Sequence, residues 1–122
     1  MLKKVLIADD ALFMRMMLRD ILTKNGFEVI GEAENGEEAV ERFRELKPDI
    51  ALIDILMPLM DGLTATEKIL QIDPDAHVVM ISALSESQYV DKALAIGARD
   101  FIVKPFSPPN IAEVLARVGK KE

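Results

Sequence analysis

The 122-residue chain contains no cysteine. This absence excludes disulfide bonds, thiolate metal sites and cysteine nucleophiles, and it suits a reducing compartment. A chain of this length fits one domain and buries a core without covalent cross-links. Half of the residues are hydrophobic and 30% are charged, which is typical of globular proteins. We therefore expect a single globular domain over residues 1–122.

The sequence also lacks an excess of basic residues and any long hydrophobic run. Its 15 basic and 21 acidic residues give a formal charge of −6, which argues against electrostatic binding to nucleic acid or anionic lipid. No stretch approaches the roughly 18 apolar residues of a membrane span. The apolar run after Lys3 and Lys4 ends at Asp9, too soon for a signal peptide. We expect a cytoplasmic protein that binds neither nucleic acid nor a membrane.

What the sequence does contain is an alternation of short apolar runs and helical patterns. The apolar runs predict five strands, at residues 5–8, 27–33, 50–54, 77–82 and 100–103. Apolar residues that recur every three or four positions predict five amphipathic helices between and after them. Strict alternation indicates right-handed βαβ units. The predicted fold class is therefore α/β, a doubly wound five-stranded parallel sheet with helices on both faces.

Capping signals and apolar positions define the predicted helices further. Asn35 with Glu38, and Ser85 with Gln88, have the spacing of a capping box. We expect Leu46 on the inner face of the second helix and Leu94 on the inner face of the fourth. His77 opens the fourth predicted strand and is interpreted as structural.

Polar residues follow the predicted strands where they end: Asp9 and Asp10 after the first, Asp54 in the third, Ser82 in the fourth and Lys104 after the fifth. In a doubly wound sheet, ligands bind outside the carboxyl ends of the strands. Three carboxylates at one edge repel each other and require a cation, and an all-oxygen site with several waters favours Mg²⁺ over Ca²⁺. A lysine is suited to phosphate, a serine can donate to a phosphoryl oxygen, and an aspartate can accept a phosphoryl group. The set predicts a site that makes and breaks an aspartyl phosphate.

Four motifs occur in order on these elements: LIADDA at 6–11, IDILMPLMDG at 53–62, MISA at 80–83 and FIVKPF at 101–106. With these motifs the chain resembles the receiver domains of two-component response regulators. The segment DDALFMRMMLRDIL at 9–22 is similar to the single-domain chemotaxis regulators of the CheY type. The resemblance covers essentially the whole chain and implies a flavodoxin-like fold with strand order 2-1-3-4-5.

The resemblance assigns the metal ligands and the phosphoacceptor. It implies that Asp54 is the phosphoacceptor and that Asp10 and Asp54 bind Mg²⁺ directly. The backbone carbonyl of Leu56 would complete the protein ligands, and Asp9 would act through water.

The resemblance also assigns the residues that respond to phosphorylation. Ser82 would contact the phosphoryl group and move toward it, and Lys104 would pair with it before a cis bond to Pro105. Phe101 occupies the aromatic switch position of the family.

The resemblance further implies the partners of a signalling switch rather than of an enzyme with its own substrate. The phosphoryl donor would be a histidine kinase or a small acyl phosphate, and the chain would catalyse its own phosphoryl acceptance and slow autodephosphorylation. A monomer would then bind an output protein, the flagellar motor switch, through the face of the fourth helix, fifth strand and fifth helix. A phosphatase is a possible further partner.

Two positions depart from the family pattern. Phe101 replaces the tyrosine of many members and cannot donate a hydrogen bond. Leu56 is apolar where some relatives carry a polar side chain that helps position a hydrolytic water, so we predict a long-lived or phosphatase-dependent phosphoryl group. Leu12, Phe13 and Met16 lie outside the inner stripe of the first helix. They either pack near the site or form part of a partner surface.

Other interpretations stay open at this point. The chain could be a receiver excised from a longer regulator, or an engineered or inferred sequence on the receiver scaffold. A phosphatase of the haloacid-dehalogenase class also uses a strand-end aspartate, but it usually needs a second acid where Leu56 stands. Asp9 and Asp10 could instead cap the first helix.

Overall fold

Five parallel strands form the centre of the molecule in the computed structural model, which describes residues 2–83 and 87–118. The strands are β1 (Lys3–Ala8), β2 (Phe27–Ala33), β3 (Ile50–Asp54), β4 (His77–Ser82) and β5 (Asp100–Val103). They alternate with helices α1 (Leu12–Lys24), α2 (Gly36–Leu46), α3 (Gly62–Ile72), α4 (Ser87–Ile96) and α5 (Pro108–Val118). The strand order is β2-β1-β3-β4-β5. The predicted fold class and strand order are confirmed.

Two separate hydrophobic cores lie on the two faces of this sheet. Helices α2, α3 and α4 cover one core, and α1 and α5 cover the other. All five residues of β3 are buried, and they alternate between the cores: Ala51 and Ile53 face the first, Ile50 and Leu52 the second. A central strand covered on both faces therefore appears in the sequence as a continuous apolar run.

The pairing of β1 with β2 shifts by one residue between Val5 and Leu6. Val5 pairs with Val29, but Leu6 pairs with Gly31, so Ile30 is an extra residue in β2. Such a β-bulge turns the following residues to the opposite faces. Phe27 and Val29 consequently face the α1 and α5 core, whereas Ala33 faces the other core.

The helix ends mostly follow the predicted capping signals. The Asn35 side chain accepts a hydrogen bond from the Glu38 N–H at 2.8 Å, which confirms this cap. The reciprocal bond differs: the Glu38 carboxylate accepts from the N–H of Glu34, one residue before the cap. Helix α1 begins after Ala11 without a side-chain cap bond, so the interpretation of the preceding acid pair as its cap was wrong. The predicted cap Ser85 lies outside the described residues.

Two predictions of inward-facing residues were wrong. Leu94 is 46% exposed, because α4 turns its neighbour Ala93, rather than Leu94, toward the core. Leu46 is also exposed. It is the last residue of α2 and covers Gly31 of the edge strand β2, at the margin of the sheet. Among the described helices, none combines the length and apolar character that crossing a bilayer requires.

Candidate functional site

Strands β1 and β3 are neighbours at the centre of the sheet and end at the same edge. Asp9 follows β1 directly and Asp54 is the last residue of β3; both side chains are buried, and Asp54 is only 6% exposed. Asp10 is exposed beside them. One carboxylate oxygen from each of the three lies within 4.8 Å of the others. The structure thus brings together the three acids that the sequence predicted to meet.

Lys104 enters this group from the end of β5. Its ammonium nitrogen lies 3.0 Å from Asp9 Oδ2 and 3.3 Å from Asp54 Oδ2. The Lys104 N–H donates to the Ser82 carbonyl at 2.9 Å, which anchors its backbone to β4. The bond from Lys104 to Pro105 is cis, as predicted. We call Asp9, Asp10, Asp54 and Lys104 the acidic pocket.

The acidic pocket has more negative than positive charge. Three carboxylates against one ammonium leave two negative charges when all are ionised. Burial raises the pKa of Asp54 to about 6, and the charges of Asp9 and Asp10 act in the same direction against the lowering effect of Lys104. Burial acts to lower the pKa of Lys104, but the hydrogen bond and charge of Asp9 and the charge of Asp54 outweigh it and raise that pKa.

The donor set of the acidic pocket fits a hard divalent cation. All three candidate ligands are carboxylate oxygens, and two positive charges would offset the two unbalanced negative ones. Asp9 has less freedom to ligate directly, because its Oδ1 accepts from the Ala11 N–H at 2.9 Å and its Oδ2 from Lys104. Both carboxylate oxygens of Asp9 are thus already engaged by hydrogen bonds from the chain.

The loop after β3 carries Leu56 and is fixed by backbone contacts. The Gly62 N–H donates to the Ile55 carbonyl at 2.7 Å. A side chain at Gly62 would overlap the backbone of Asp54, and one at Gly36 would overlap the backbone of Met60. Only glycine permits this close approach. The loop that bears the predicted Leu56 ligand is therefore clamped between α2, α3 and the end of β3, with the Leu56 side chain exposed.

Leu59 in the same loop has a backbone conformation that is rare for a side-chain-bearing residue. Its φ is +68°, and the Met60 N–H donates to the Pro58 carbonyl at 2.7 Å around it. This is the bond of a three-residue γ-turn, which is strained when the central φ is positive. The Leu59 side chain is exposed. The chain therefore makes a sharp turn within the loop that connects β3 to α3.

The two predicted response residues lie on β4 and β5. Ser82 is fully buried at the end of β4, opposite Val103 of β5. Phe101 pairs with Met80 two positions earlier and packs, half-buried, against the α2, α3 and α4 core. His77 opens β4 at the other edge of the sheet. Ser82 thus lies at the end of the sheet that carries the acidic pocket, and its carbonyl binds the Lys104 N–H, whereas Phe101 lies two residues before Val103 on the adjacent strand.

A second charged group at this edge was not predicted from the sequence. Arg15 of α1 is only 8% exposed. Its Nη1 donates to the Asp9 carbonyl at 2.7 Å, and its Nε donates to Glu32 Oε1 at 2.9 Å. Arg19 donates to Glu32 Oε2 through Nε at 2.8 Å and Nη2 at 2.6 Å. We call Arg15, Arg19 and Glu32 the arginine bridge.

The arginine bridge left a partial signal in the sequence. Arg15 and Arg19 are four residues apart, on one side of α1, and an acid stands near the end of β2. The face on which Glu32 emerges depends on the bulge at Ile30, which no hydrophobic pattern announced. Burial acts to raise the pKa of Glu32, but hydrogen bonds from both arginines outweigh it and lower that pKa.

The first turns of α1 present an apolar surface next to the acidic pocket. Leu12, Phe13 and Met16 are exposed, Phe13 by 72%. They do not pack into either core. Of the two interpretations left open by the sequence, a surface available to a partner agrees with this exposure.

Comparison with known proteins gives matches over nearly the whole chain. The family model of the response regulator receiver domain matches residues 5–116. A chemotaxis protein CheY from Thermotoga maritima is 55% identical over 118 residues, which cover 97% of this chain and 98% of that protein. A chemotaxis protein CheY from Bacillus subtilis is 52% identical over 115 residues, 94% of this chain and 96% of that protein.

Solved structures give the same result for the fold. A chain in the crystal structure of a CheX-CheY-BeF3-Mg+2 complex from Borrelia burgdorferi superimposes with a TM-score of 0.94. It is 40% identical in sequence, and the match covers 98% of this chain and 90% of that chain.

Proposed function

The chain belongs to the response regulator receiver domain family, and on that premise we propose that it is a Mg²⁺-dependent signalling switch that is phosphorylated on Asp54. The observation that carries this proposal is the acidic pocket itself. Three carboxylates within 4.8 Å of one another and a bridging lysine lie at the carboxyl edge of β1 and β3. A purely structural cluster of this kind would be expected to balance its charges, whereas this one does not.

Asp54 is the proposed nucleophile. One of its carboxylate oxygens attacks the phosphorus of a phosphohistidine or an acyl phosphate, the bond from phosphorus to the donor's nitrogen or oxygen breaks, and an aspartyl phosphate forms. Lys104 already contacts the Asp54 carboxylate and would pair with the transferred group. Ser82 would donate to a phosphoryl oxygen and move toward it.

The metal would be held by Asp10, Asp54 and the Leu56 carbonyl, with Asp9 acting through water. When bound, Mg²⁺ would neutralise charge on the transferring phosphoryl group. Both carboxylate oxygens of Asp9 already accept hydrogen bonds, which supports its indirect role. The clamped loop after β3 supports a role for the Leu56 backbone, since a fixed loop presents its carbonyl in one place.

The proposed partners follow from the relatives. Proteins 50–55% identical over almost their whole length are named chemotaxis protein CheY, which supports a role in chemotaxis with a histidine kinase as phosphoryl donor. The flagellar motor switch would be the output partner. The solved CheX-CheY complex supports binding of a further protein, such as a phosphatase. The exposed apolar side chains of α1, beside the acidic pocket, offer a surface for such contacts.

We further propose that residues 1–122 form one monomeric, cytoplasmic receiver domain. Its regulated step would be protein binding, with Phe101 as the switch residue on β5. Phe101 is half-buried against the core, so a change of its rotamer would alter the adjacent surface.

Intact mass after incubation with acetyl phosphate and Mg²⁺ tests the proposed function. We expect one phosphoryl adduct on the native chain, no adduct on Asp54→Asn and none on the native chain with a chelator. Asp61→Asn is a matched control, because Asp61 is the exposed cap of α3 and its side chain accepts from the Thr64 N–H. An adduct on Asp54→Asn, or none on the native chain, would contradict the proposal.

The same samples also test the lifetime of the phosphoryl group. Because the exposed Leu56 side chain cannot position a water for hydrolysis, we expect the adduct to persist for minutes or longer after the donor is removed. Loss of the adduct within seconds, with no phosphatase present, would contradict this expectation.

A further inference from the structure

Asp9 is held at four separate atoms. Its N–H donates to the Ala33 carbonyl at 3.0 Å, and its carbonyl accepts from Arg15 at 2.7 Å. Its Oδ1 accepts from the Ala11 N–H and its Oδ2 from Lys104. Three of these bonds involve neighbouring backbone or a residue of the acidic pocket. The bond from Arg15 is different, because it comes from a helix and from a charge that the proposed chemistry does not use.

The Arg15 bond fixes one particular peptide unit. The carbonyl of Asp9 and the N–H of Asp10 belong to the same planar group. A guanidinium that holds this carbonyl therefore fixes the direction in which the chain leaves Asp9, and with it the position of Asp10. Asp10 is itself exposed at the rim of the site, so its position depends on the backbone around it more than on packing of its side chain.

Arg15 is in turn held rigidly. It is buried, and its Nε donates to Glu32, whose second oxygen accepts from Arg19. The planar guanidinium carries its donors in a fixed fork. One branch of the fork is thus anchored to β2 through Glu32, and another is directed at the Asp9 carbonyl.

We propose that Arg15 is a positioning residue that sets the Mg²⁺ affinity of the acidic pocket by orienting the peptide between Asp9 and Asp10. This inference depends on the proposed function, since it takes Mg²⁺ as the ligand of that pocket. Residues that orient metal ligands without touching the metal typically contribute about 10- to 100-fold to metal affinity.

Charge and positioning predict opposite effects of removing Arg15. A buried cation near the acidic pocket repels a second cation, so its loss should strengthen Mg²⁺ binding if only charge mattered. Loss of the hydrogen bond to the Asp9 carbonyl should loosen Asp10 and weaken binding. The sign of the change in Mg²⁺ affinity therefore separates the two explanations. If Arg15 had a purely structural role, its removal would leave the Mg²⁺ affinity of a folded protein unchanged.

The test is calorimetric titration of Mg²⁺ into the native chain, Arg15→Met and Arg19→Met, each at a temperature where circular dichroism shows it folded. We expect the Kd for Mg²⁺ to rise about tenfold in Arg15→Met. Arg19→Met is the matched control, because Arg19 binds the same Glu32 carboxylate but does not contact Asp9. We expect its Kd to stay within about twofold of the native value.

A second variant covers the case in which Arg15→Met does not fold. Arg15→Lys keeps the positive charge. A lysine has no planar guanidinium, so it cannot donate hydrogen bonds to Glu32 and to the Asp9 carbonyl in the same geometry. We expect its Kd for Mg²⁺ also to rise. Phosphorylation by acetyl phosphate should recover in either variant when Mg²⁺ is raised to saturation, because the phosphoacceptor itself is unchanged.

The outcomes distinguish the two proposals. If the native chain binds Mg²⁺ and the Arg15 variants bind it as tightly or more tightly, the positioning role is overturned while the proposed function stands. If the native chain binds no Mg²⁺, the proposed function fails first. A raised Kd in the Arg15 variants, with Arg19→Met unchanged, supports the positioning role.

Discussion

The acidic pocket and the arginine bridge lie side by side at one edge of the sheet and meet at Asp9, but their charge balances have opposite sign. The arginine bridge has two cations around one carboxylate, and every oxygen of that carboxylate is paired. The acidic pocket has three carboxylates around one ammonium. The first lowers the pKa of Glu32, and the second raises the pKa of Asp54 to about 6.

This difference shows how a buried charge reveals its role. A carboxylate with a lowered pKa is already satisfied by the folded chain and contributes to its stability. A carboxylate with a raised pKa is held in an environment that disfavours its charge, and the fold tolerates this only if something else supplies the balance. By this criterion the arginine bridge is a structural support, and the acidic pocket is ready to receive a cation.

The largest expected effect comes from increasing the excess negative charge of the acidic pocket. Lys104→Met removes its one positive charge, so the net charge would change from two negative to three negative. We expect the rate of adduct formation from acetyl phosphate at saturating Mg²⁺ to fall by roughly 100-fold or more, as for other groups that stabilise charge in transition states. Time-resolved intact mass measures this rate.

The control for this variant is Lys68→Met on α3, which removes an exposed lysine far along that helix. We expect its rate to match that of the native chain. A Lys104→Met rate within about threefold of native would mean that the pairing seen with Asp54 has no part in transfer.

The next effect concerns stability without metal. Because the pKa of Asp54 rises from 3.8 to about 6 on folding, the metal-free native chain should lose stability as pH rises through this window. Asp54→Asn carries no charge there, so we expect it to be more stable than the native chain by on the order of 2 kcal/mol at pH 8, and by little at pH 4. Urea unfolding in the presence of a chelator measures both values.

Adding Mg²⁺ sharpens this second prediction. A ligand that binds only the folded state stabilises it, so Mg²⁺ should raise the unfolding free energy of the native chain more than that of Asp54→Asn. The interpretation of the acidic pocket as an unbalanced site would be wrong if the two chains had the same stability at pH 8 without metal.

The smallest predicted effect is a loss of stability caused by a change in the arginine bridge, in contrast to the gain expected for Asp54→Asn. Glu32→Gln leaves a buried arginine without its carboxylate, so we expect a loss of about 1–2 kcal/mol in unfolding free energy at pH 7. The lowered pKa of Glu32 means that the native chain has this stability above pH 4.5 and loses it as pH falls through the lowered value. The difference between Glu32→Gln and the native chain should therefore shrink in acid.

Glu28→Gln is the matched control for this variant, since Glu28 is an exposed acid on the same strand. Its stability should stay close to native at both pH values. If Glu32→Gln proved as stable as Glu28→Gln at pH 7, the arginine bridge would contribute no net support, and the contrast with the acidic pocket would disappear.

Much of the fold and of the acidic pocket was predictable from local patterns. The bounds of β2 to β5 were correct, and β3 and β4 in particular are buried enough to appear in the sequence as apolar runs. The members of the acidic pocket were correctly grouped, because strand ends in a parallel sheet share an edge. Strand β1 begins earlier than predicted, at Lys3, since backbone pairing with Phe27 outweighs the polarity of its first two residues.

The rest depended on contacts that local patterns do not encode. The arginine bridge requires α1 and the end of β2 to approach each other with the correct face of β2 exposed to α1. The exposure of Leu46 depends on where the sheet ends, and that of Leu94 on which side of α4 faces the core. The clamp around Leu56 depends on two glycines whose neighbours are distant in sequence.

The bulge at Ile30 has a consequence for how such domains can be recombined. Glu32 pairs with Ile7, on the side of α1, only because one extra residue precedes it in β2. If the same residues of β2 paired with β1 in a regular ladder, Glu32 would lie opposite Ala8 and point into the apolar core beneath α2, and Arg15 would lose this carboxylate partner. The way in which β2 pairs with β1 and the identity of residue 15 therefore form one transferable unit: a chimera that takes one from a relative must take the other from the same parent.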